Sequence, residues 1–230
     1  MKEFLMKLLY PVLLILISMS CLNEGVDSIR RFAINADYFP LESGGAWEYV
    51  VTYECNCDCP CSPYFNEGKY EYTHSEFVDG DALLNDIIYK KIVNEDRRPV
   101  KFLRKEGSRY YEWNGPKNDH LFLDTSIPPD SSWTSRVEID VYGIYRDLGY
   151  QVTYTVLSID TVVAIENKTY NDVIAIKEFH DWSRISDDCS TYTRYSYYAP
   201  GIGRIRMYQP YNSCYQYLGN ITTHLLKGPQ

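Results

Sequence analysis

Apolar and polar residues alternate along most of this chain. From Ala46 to Glu54, Trp47, Tyr49, Val51 and Tyr53 fall on one parity, and Glu48, Val50, Thr52 and Glu54 on the other. Successive side chains of a strand point to opposite faces, so a period of two predicts a strand with one apolar face. The same reading predicts strands over 70–78, 87–93, 100–104, 109–113, 121–123 and 136–142, the last with Val137, Ile139 and Val141 opposite Glu138 and Asp140. The longest alternating run is 150–165. Val152, Tyr154 and Val156 share one parity there, while Ile159, Val163 and Ile165 share the other. That change of phase near Leu157 predicts a bulge. Further strands are predicted at 172–179, 192–198, 204–208 and 215–218, and no long segment carries the helical period.

Turn residues separate these runs. Asp79-Gly80-Asp81 reads as the close of one strand, and Glu106-Gly107-Ser108, Glu166–Lys168 and Pro200-Gly201-Ile202-Gly203 read as hairpin turns. Residues 55–68 form a loop inserted at a hairpin end, and 124–132, with Pro128 and Pro129, is a second loop. Short strands recurring every ten residues or so, with such turns between them, predict an antiparallel all-β domain. The expected architecture is a curved sheet, a partly open barrel or a two-layer sheet. One domain is expected over 38–230, after a polar tether at 21–37.

The first twenty residues break the alternation. Lys2 and Lys7 precede an apolar run from Leu8 to Ile17, and Ser18-Met19-Ser20 leads to Cys21. The run is too short to span a bilayer and has the form of a secretory signal. Ser20-Cys21 resembles the end of the bacterial lipobox, in which the Cys is acylated; Ser18 stands where that motif has Leu, Ile or Val. The alternative is an ordinary cleaved signal with a coincidental Cys. Acylation of Cys21 would tie the chain to a membrane durably, because more than one acyl chain makes anchoring stable. Leu22, not Asp, follows the Cys, which by the enteric sorting rule favours the outer membrane.

Charge narrows the range of partners. The chain carries a formal charge of −8, and removing Lys2, Lys7 and Glu3 with the signal takes the mature part to −9. Such a surface argues against nucleic acid and against adhesion to anionic headgroups. Tyrosine is the strongest bias, at 23 of 230 residues. The plain expectation is a wet sheet face, with a tyrosine-lined sugar or peptide surface as the alternative.

Beyond Cys21 lie six cysteines: Cys55, Cys57, Cys59, Cys61, Cys189 and Cys214. An even number in an exported chain predicts disulfides. In a hairpin centred on residues 200–203, facing residue numbers sum to 403, and Cys189 and Cys214 satisfy that sum. A cross-strand bridge is expected there, with Pro210 able to shift the register. Within Cys55-Asn-Cys-Asp-Cys-Pro-Cys61 a fold at Asp58 would pair Cys55 with Cys61, while a Cys57–Cys59 bridge is cramped. The competing reading is a thiolate site for zinc or copper(I), although the spacing is not that of a zinc ribbon.

Four stretches, taken in order, resemble a family of poorly characterised bacterial envelope lipoproteins. Tyr38-Phe-Pro-Leu-Glu-Ser-Gly-Gly-Ala-Trp-Glu-Tyr49 resembles its opening, and Ile127–Trp133 a Pro-containing segment ending in Trp. Asn167–Val173 is similar to a strand entry of that family, and Tyr197-Tyr-Ala-Pro-Gly-Ile-Gly203 to its closing turn. The resemblance implies a curved β-sheet domain on a lipid tether, with no established activity. The cysteine loop is not part of it.

Sites of known chemistry are sparse. His74, His120, His180 and His224 fit no metal-ligand spacing, and His180-Asp181 has no activated nucleophile motif with it, so His180 reads as a strand-end residue. Glu138 and Asp140 share a polar face, an ordinary arrangement for a strand. No catalytic residue, metal ligand or cofactor is predicted. The expected function is a non-enzymatic binding or structural module of the cell envelope, meeting a protein, a glycan or an apolar ligand. One alternative is a lipid or lipoprotein carrier with an apolar half-barrel cavity. A remoter one is an envelope hydrolase, which requires His180 or His74 to converge with carboxylates.

Overall fold

A computed structural model describes residues 37–55, 68–115, 119–141, 144–183, 191–210 and 220–229. Cys21, Cys57, Cys59, Cys61, Cys189 and Cys214 lie outside these residues, as do the side chain of Cys55 and the strand expected at 215–218.

The described residues form twelve strands and no helix. They are β1 (Ala46–Cys55), β2 (Gly68–Leu84), β3 (Ile87–Val93), β4 (Pro99–Glu106), β5 (Arg109–Trp113) and β6 (Asp119–Asp124), then β7 (Ser132–Val141), β8 (Ile144–Ile165), β9 (Lys168–Asp181), β10 (Thr191–Ala199), β11 (Gly203–Gln209) and β12 (Asn220–Lys227). They make one antiparallel sheet ordered β6-β5-β4-β3-β2-β1-β12-β11-β10-β9-β8-β7. Two meanders are thus joined where the first strand pairs with the last, Val51 opposite Thr223. The sheet curls into a nearly closed barrel. Its two edges meet through side chains: Trp133 Nε1 donates to the Leu121 carbonyl at 3.0 Å, and Leu121 N–H donates to Ser135 Oγ at 3.1 Å. With its amide turned to satisfy both groups, Asn114 bonds the backbone N–H and C=O of Glu138 across the same seam. Closure of this kind covers the strand edges that would otherwise template aggregation.

The alternation read from the sequence is the wall of this barrel. Trp47, Tyr49 and Val51 of β1 are buried at 1, 1 and 5 % exposure. The phase change near Leu157 is a register shift between Val156 and Ser158. At Asp79-Gly80-Asp81, by contrast, the chain does not turn. Gly80 takes φ +80° in a bulge, β2 continues to Leu84, and Asn85 and Asp86, both at positive φ, make the turn. Two successive residues in the left-handed region match the right-handed twist of a two-residue hairpin, and Asn and Asp tolerate that region. The predicted register sum of 403 holds at Tyr195–Tyr208, Ser196–Met207 and Tyr197–Arg206, then slips by one at a bulge before Tyr198–Arg204.

The folded unit begins at Asp37. Its carbonyl accepts from Gly201 N–H at 2.6 Å and its carboxylate from Tyr110 Oη at 2.7 Å. Tyr38 Oη donates to the carbonyl of Asp172, and Trp47 Nε1 to that of Ile202 at 2.5 Å. Phe39 packs against Trp47 with ring centres 5.2 Å apart. The opening, strand-entry and closing stretches singled out in the sequence therefore meet in one cluster. Tyrosine serves both the expected wet face, where Tyr70 and Tyr72 are exposed, and the barrel interior. Tyr38, Tyr49, Tyr89, Tyr110, Tyr154, Tyr170 and Tyr198 are all buried, since a barrel interior needs large side chains.

A charged cavity inside the barrel

Alternation does not stop at apolar residues. Ile174 and Ile176 of β9 point inward, so Glu178 and His180, next on the same parity, do so too, at 5 and 3 % exposure. On β10, Arg194 lies opposite Glu178 and Tyr192 opposite His180. Glu112 of β5 stands between Leu103 of β4 and His120 of β6. Lys101 shares the parity of Leu103, and Arg204 of β11 faces Tyr198. These side chains, with Phe39, Phe122, Tyr150 and Tyr154, line a cavity of about 200 Å³.

Two carboxylates inside are ion-paired. Glu178 accepts from Ser196 Oγ, lies 3.2 Å from His180 Nε2 and 3.7 Å from Arg194 Nη1. Burial pushes its carboxyl up, but the His180 bond, the Arg194 charge and the Ser196 bond outweigh it and hold the pKa at about 2. Glu76 of β2 pairs with Lys101 Nζ at 2.6 Å and lies 3.9 Å from His74 Nε2. Its carboxyl is likewise held well below the usual range, burial being overcome chiefly by Lys101.

The third carboxyl behaves in the opposite way. Burial raises the pKa of Glu112, the nearby charges of Lys101 and Arg204 only partly offset this, and Glu76 adds to it. Burial also lowers His120 to about 4, and its Nε2 is bonded to Tyr154 Oη. His180 is lowered too, chiefly by burial, and its ring stacks on Tyr192 at 4.1 Å. Burial raises Tyr49, Tyr150, Tyr154 and Tyr198, which stay protonated as hydrogen-bond donors. Arg204 stays charged, because Tyr198, Tyr49, Glu76 and Glu178 outweigh the burial that opposes its charge.

Several polar atoms in this region have no hydrogen-bond partner among the described residues: Arg204 Nε, Arg194 Nε, His180 Nδ1 and Tyr49 Oη. Buried polar atoms are paired in the great majority of native interiors, so a group of orphans around one cavity points to a ligand.

The sequence reading placed none of these residues in a site; His180 is the strand-end residue it expected, next to last in β9, but it points into the interior. β9 runs through to Asp181 and carries His180 into the lumen. The available signal was the parity of Glu178 and His180 with Ile174 and Ile176. The polar pair Glu138 and Asp140 lies on β7, and the peptide groups of Glu138 serve the seam. Among the described residues no three His, Cys, Asp or Glu side chains form a metal-holding group.

No family model matches the chain, and no curated protein matches it in sequence. Two solved structures resemble it at a TM-score of 0.47 each. One is a protein inferred to be exported, with a YmcC-like fold, from Bacteroides fragilis, at 12 % identity over 85 % of this chain and 100 % of that one. The other is an inferred lipoprotein from Parabacteroides distasonis, at 13 % identity over 84 % of this chain and 98 % of that one.

Proposed function

We propose that this chain is a cell-envelope lipoprotein, anchored through Cys21, whose barrel interior binds a small polar ligand without transforming it. The observation that carries the reading is the cavity between β4, β5, β9, β10 and β11, with its unpartnered Arg204, Arg194 and His180 nitrogens. A site built only for stability would pair these groups or replace them by apolar side chains, since an unmatched buried charge is costly. The resemblance of four sequence stretches to envelope lipoproteins, and the form of residues 2–21, support the location.

An apolar carrier is poorly served by this lumen. Acyl chains would have to lie against Lys101, Glu112, Glu178 and Arg204. The hydrolase reading gains one observation, because His180 does meet Glu178 and His74 does meet Glu76. Glu112 with a raised pKa, in the same cavity as an ionised Glu178, is also the kind of split pair that divides acid and base roles. A binding role is favoured because His180 Nε2 is committed to Glu178 rather than to a nucleophilic hydroxyl or thiol.

The test is native mass spectrometry of tagged protein extracted from envelopes. Binding predicts an acylated Cys21 peptide and a small polar molecule released intact. A bound phospholipid would instead support the carrier. Turnover of the released molecule by wild type but not by Glu178→Gln would support the hydrolase. An N-terminal peptide identical with and without globomycin would remove the lipid anchor.

A further inference from the structure

The charges of the lumen are unevenly paired. Lys101 is matched by Glu76 at 2.6 Å, and Arg194 by Glu178 at 3.7 Å. Arg204 has no ion-pair partner within reach among the described residues, and its Nε has no acceptor. It sits on β11 opposite Tyr198, and Tyr49 of β1, whose hydroxyl is also unpartnered at 1 % exposure, lies two strands away, near enough to act on its charge. Of the three cations Arg204 is thus the one without an ion pair among the described residues, and Glu112, the third carboxyl of the region, makes none either.

Resting on the ligand-binding reading above, we propose that Arg204 seats the carboxylate of a small hydroxylated monoanion, the chemistry of a sugar acid. Three features select this class. Arg204 offers a ligand one positive charge that no carboxylate holds, and a dianion would bring a second negative charge into a cavity that Glu112 and Glu178 also line. A planar guanidinium pairs a carboxylate through two parallel N–H bonds. The Glu112 carboxyl and His180 Nδ1 offer hydrogen bonds to hydroxyls, and Phe122 and Tyr198 supply flat walls for a sugar ring. A cavity of about 200 Å³ admits a monosaccharide and not a chain.

The experiment is calorimetric titration of the full acylated protein in detergent with D-glucuronate, D-glucose and inorganic phosphate. Glucuronate should bind, and glucose, the same ring without the carboxylate, should bind at least about tenfold more weakly, as expected for loss of a charge-assisted bond. Arg204→Met should lose glucuronate affinity to a similar degree, and Arg204→Lys should retain most of it. Without ligand, Arg204→Met should unfold at a higher temperature than wild type, because it removes an unmatched buried charge at similar volume. Equal binding of glucose, tighter binding of phosphate, no binding of glucuronate, or a lower unfolding temperature for Arg204→Met would each overturn the assignment. None of these would remove lumen binding itself, which the envelope-extracted mass spectrum decides separately.

Discussion

Trp47 donates its indole N–H to the carbonyl of Ile202, 155 residues further along, at 2.5 Å. Gly203, the next residue, has φ +104°, and a Cβ built on it would lie 3.2 Å from Trp47 Nε1 and 3.4 Å from a Phe39 ring carbon. The start of β1 and the β10–β11 turn are thus fitted to each other, with Phe39 wedged beside them. Gly203→Ala should destabilise by about 1–3 kcal/mol through left-handed strain and crowding. Trp47→Phe should cost a similar ~1–3 kcal/mol by leaving the Ile202 carbonyl without its donor. Denaturant midpoints of the two variants check this. A double variant that loses less than the sum of the singles would show that the two act through one contact.

Acid should unfold the barrel in two stages. Burial lowers the pKa of His120 from the ordinary 6.5 to about 4, so the unfolded chain binds more protons as pH falls below 6.5. Stability from the neutral ring is present above pH 6.5 and is lost down to about pH 4. Glu178, at about 2 against 4.5, contributes stability that is present above pH 4.5 and lost as pH falls towards 2. Thermal melts between pH 8 and 3 should therefore decline from the neutral side onwards. His120→Asn should flatten the decline above pH 4 and leave the lower stage in place.

Glu112 should show the opposite sign. Its folded pKa is raised, so its contribution is full below the unfolded carboxyl pKa and is lost as pH rises through the folded value. Glu112→Gln keeps the shape and removes the ionisation. Its stability relative to wild type should increase with pH over the range where wild-type Glu112 is forced to ionise. A difference between the two proteins that is constant from pH 4 to pH 9 would show that Glu112 titrates normally.

The hairpin register makes a covalent prediction. Facing residues sum to 403 at Tyr195–Tyr208, and the same sum extended outward reaches Cys189 and Cys214. Non-reducing peptide mapping should recover these two cysteines in one linked pair. Cys189→Ser should then free one thiol at Cys214 and lower stability by about 2–4 kcal/mol. Linkage of Cys189 to any of Cys55, Cys57, Cys59 or Cys61 would contradict the register.

Local pattern carried much of the fold. The parity of Trp47, Tyr49 and Val51, the phase change near Leu157 and the glycines flanking Ile202 were legible because strand period, bulges and positive φ are properties of a few neighbouring residues. The turn at Asp79-Gly80-Asp81 was misread for the same reason. A glycine between two aspartates suits a turn or a bulge equally, and only the pairing of β2 with β3 decides between them. β12 escaped the reading altogether, although it is the strand that joins the two meanders.

By itself, the sequence determined an all-β chain of short antiparallel strands, the hairpin register around Gly201, and the residues that share each strand face. The tertiary structure alone decided that the barrel nearly closes, and that Lys101, Glu112, Glu178, Arg194 and Arg204 meet inside it. The reason is physical. Period two says that Glu178 lies on the face of Ile174 and Ile176, but the partners for its charge come from β9 and β10, that of Lys101 comes from β2, and Glu112 and Arg204 arrive on β5 and β11. Their convergence depends on strand order and curvature, which no local window contains. An inward charge reads as an ordinary polar residue until the opposite wall is in place.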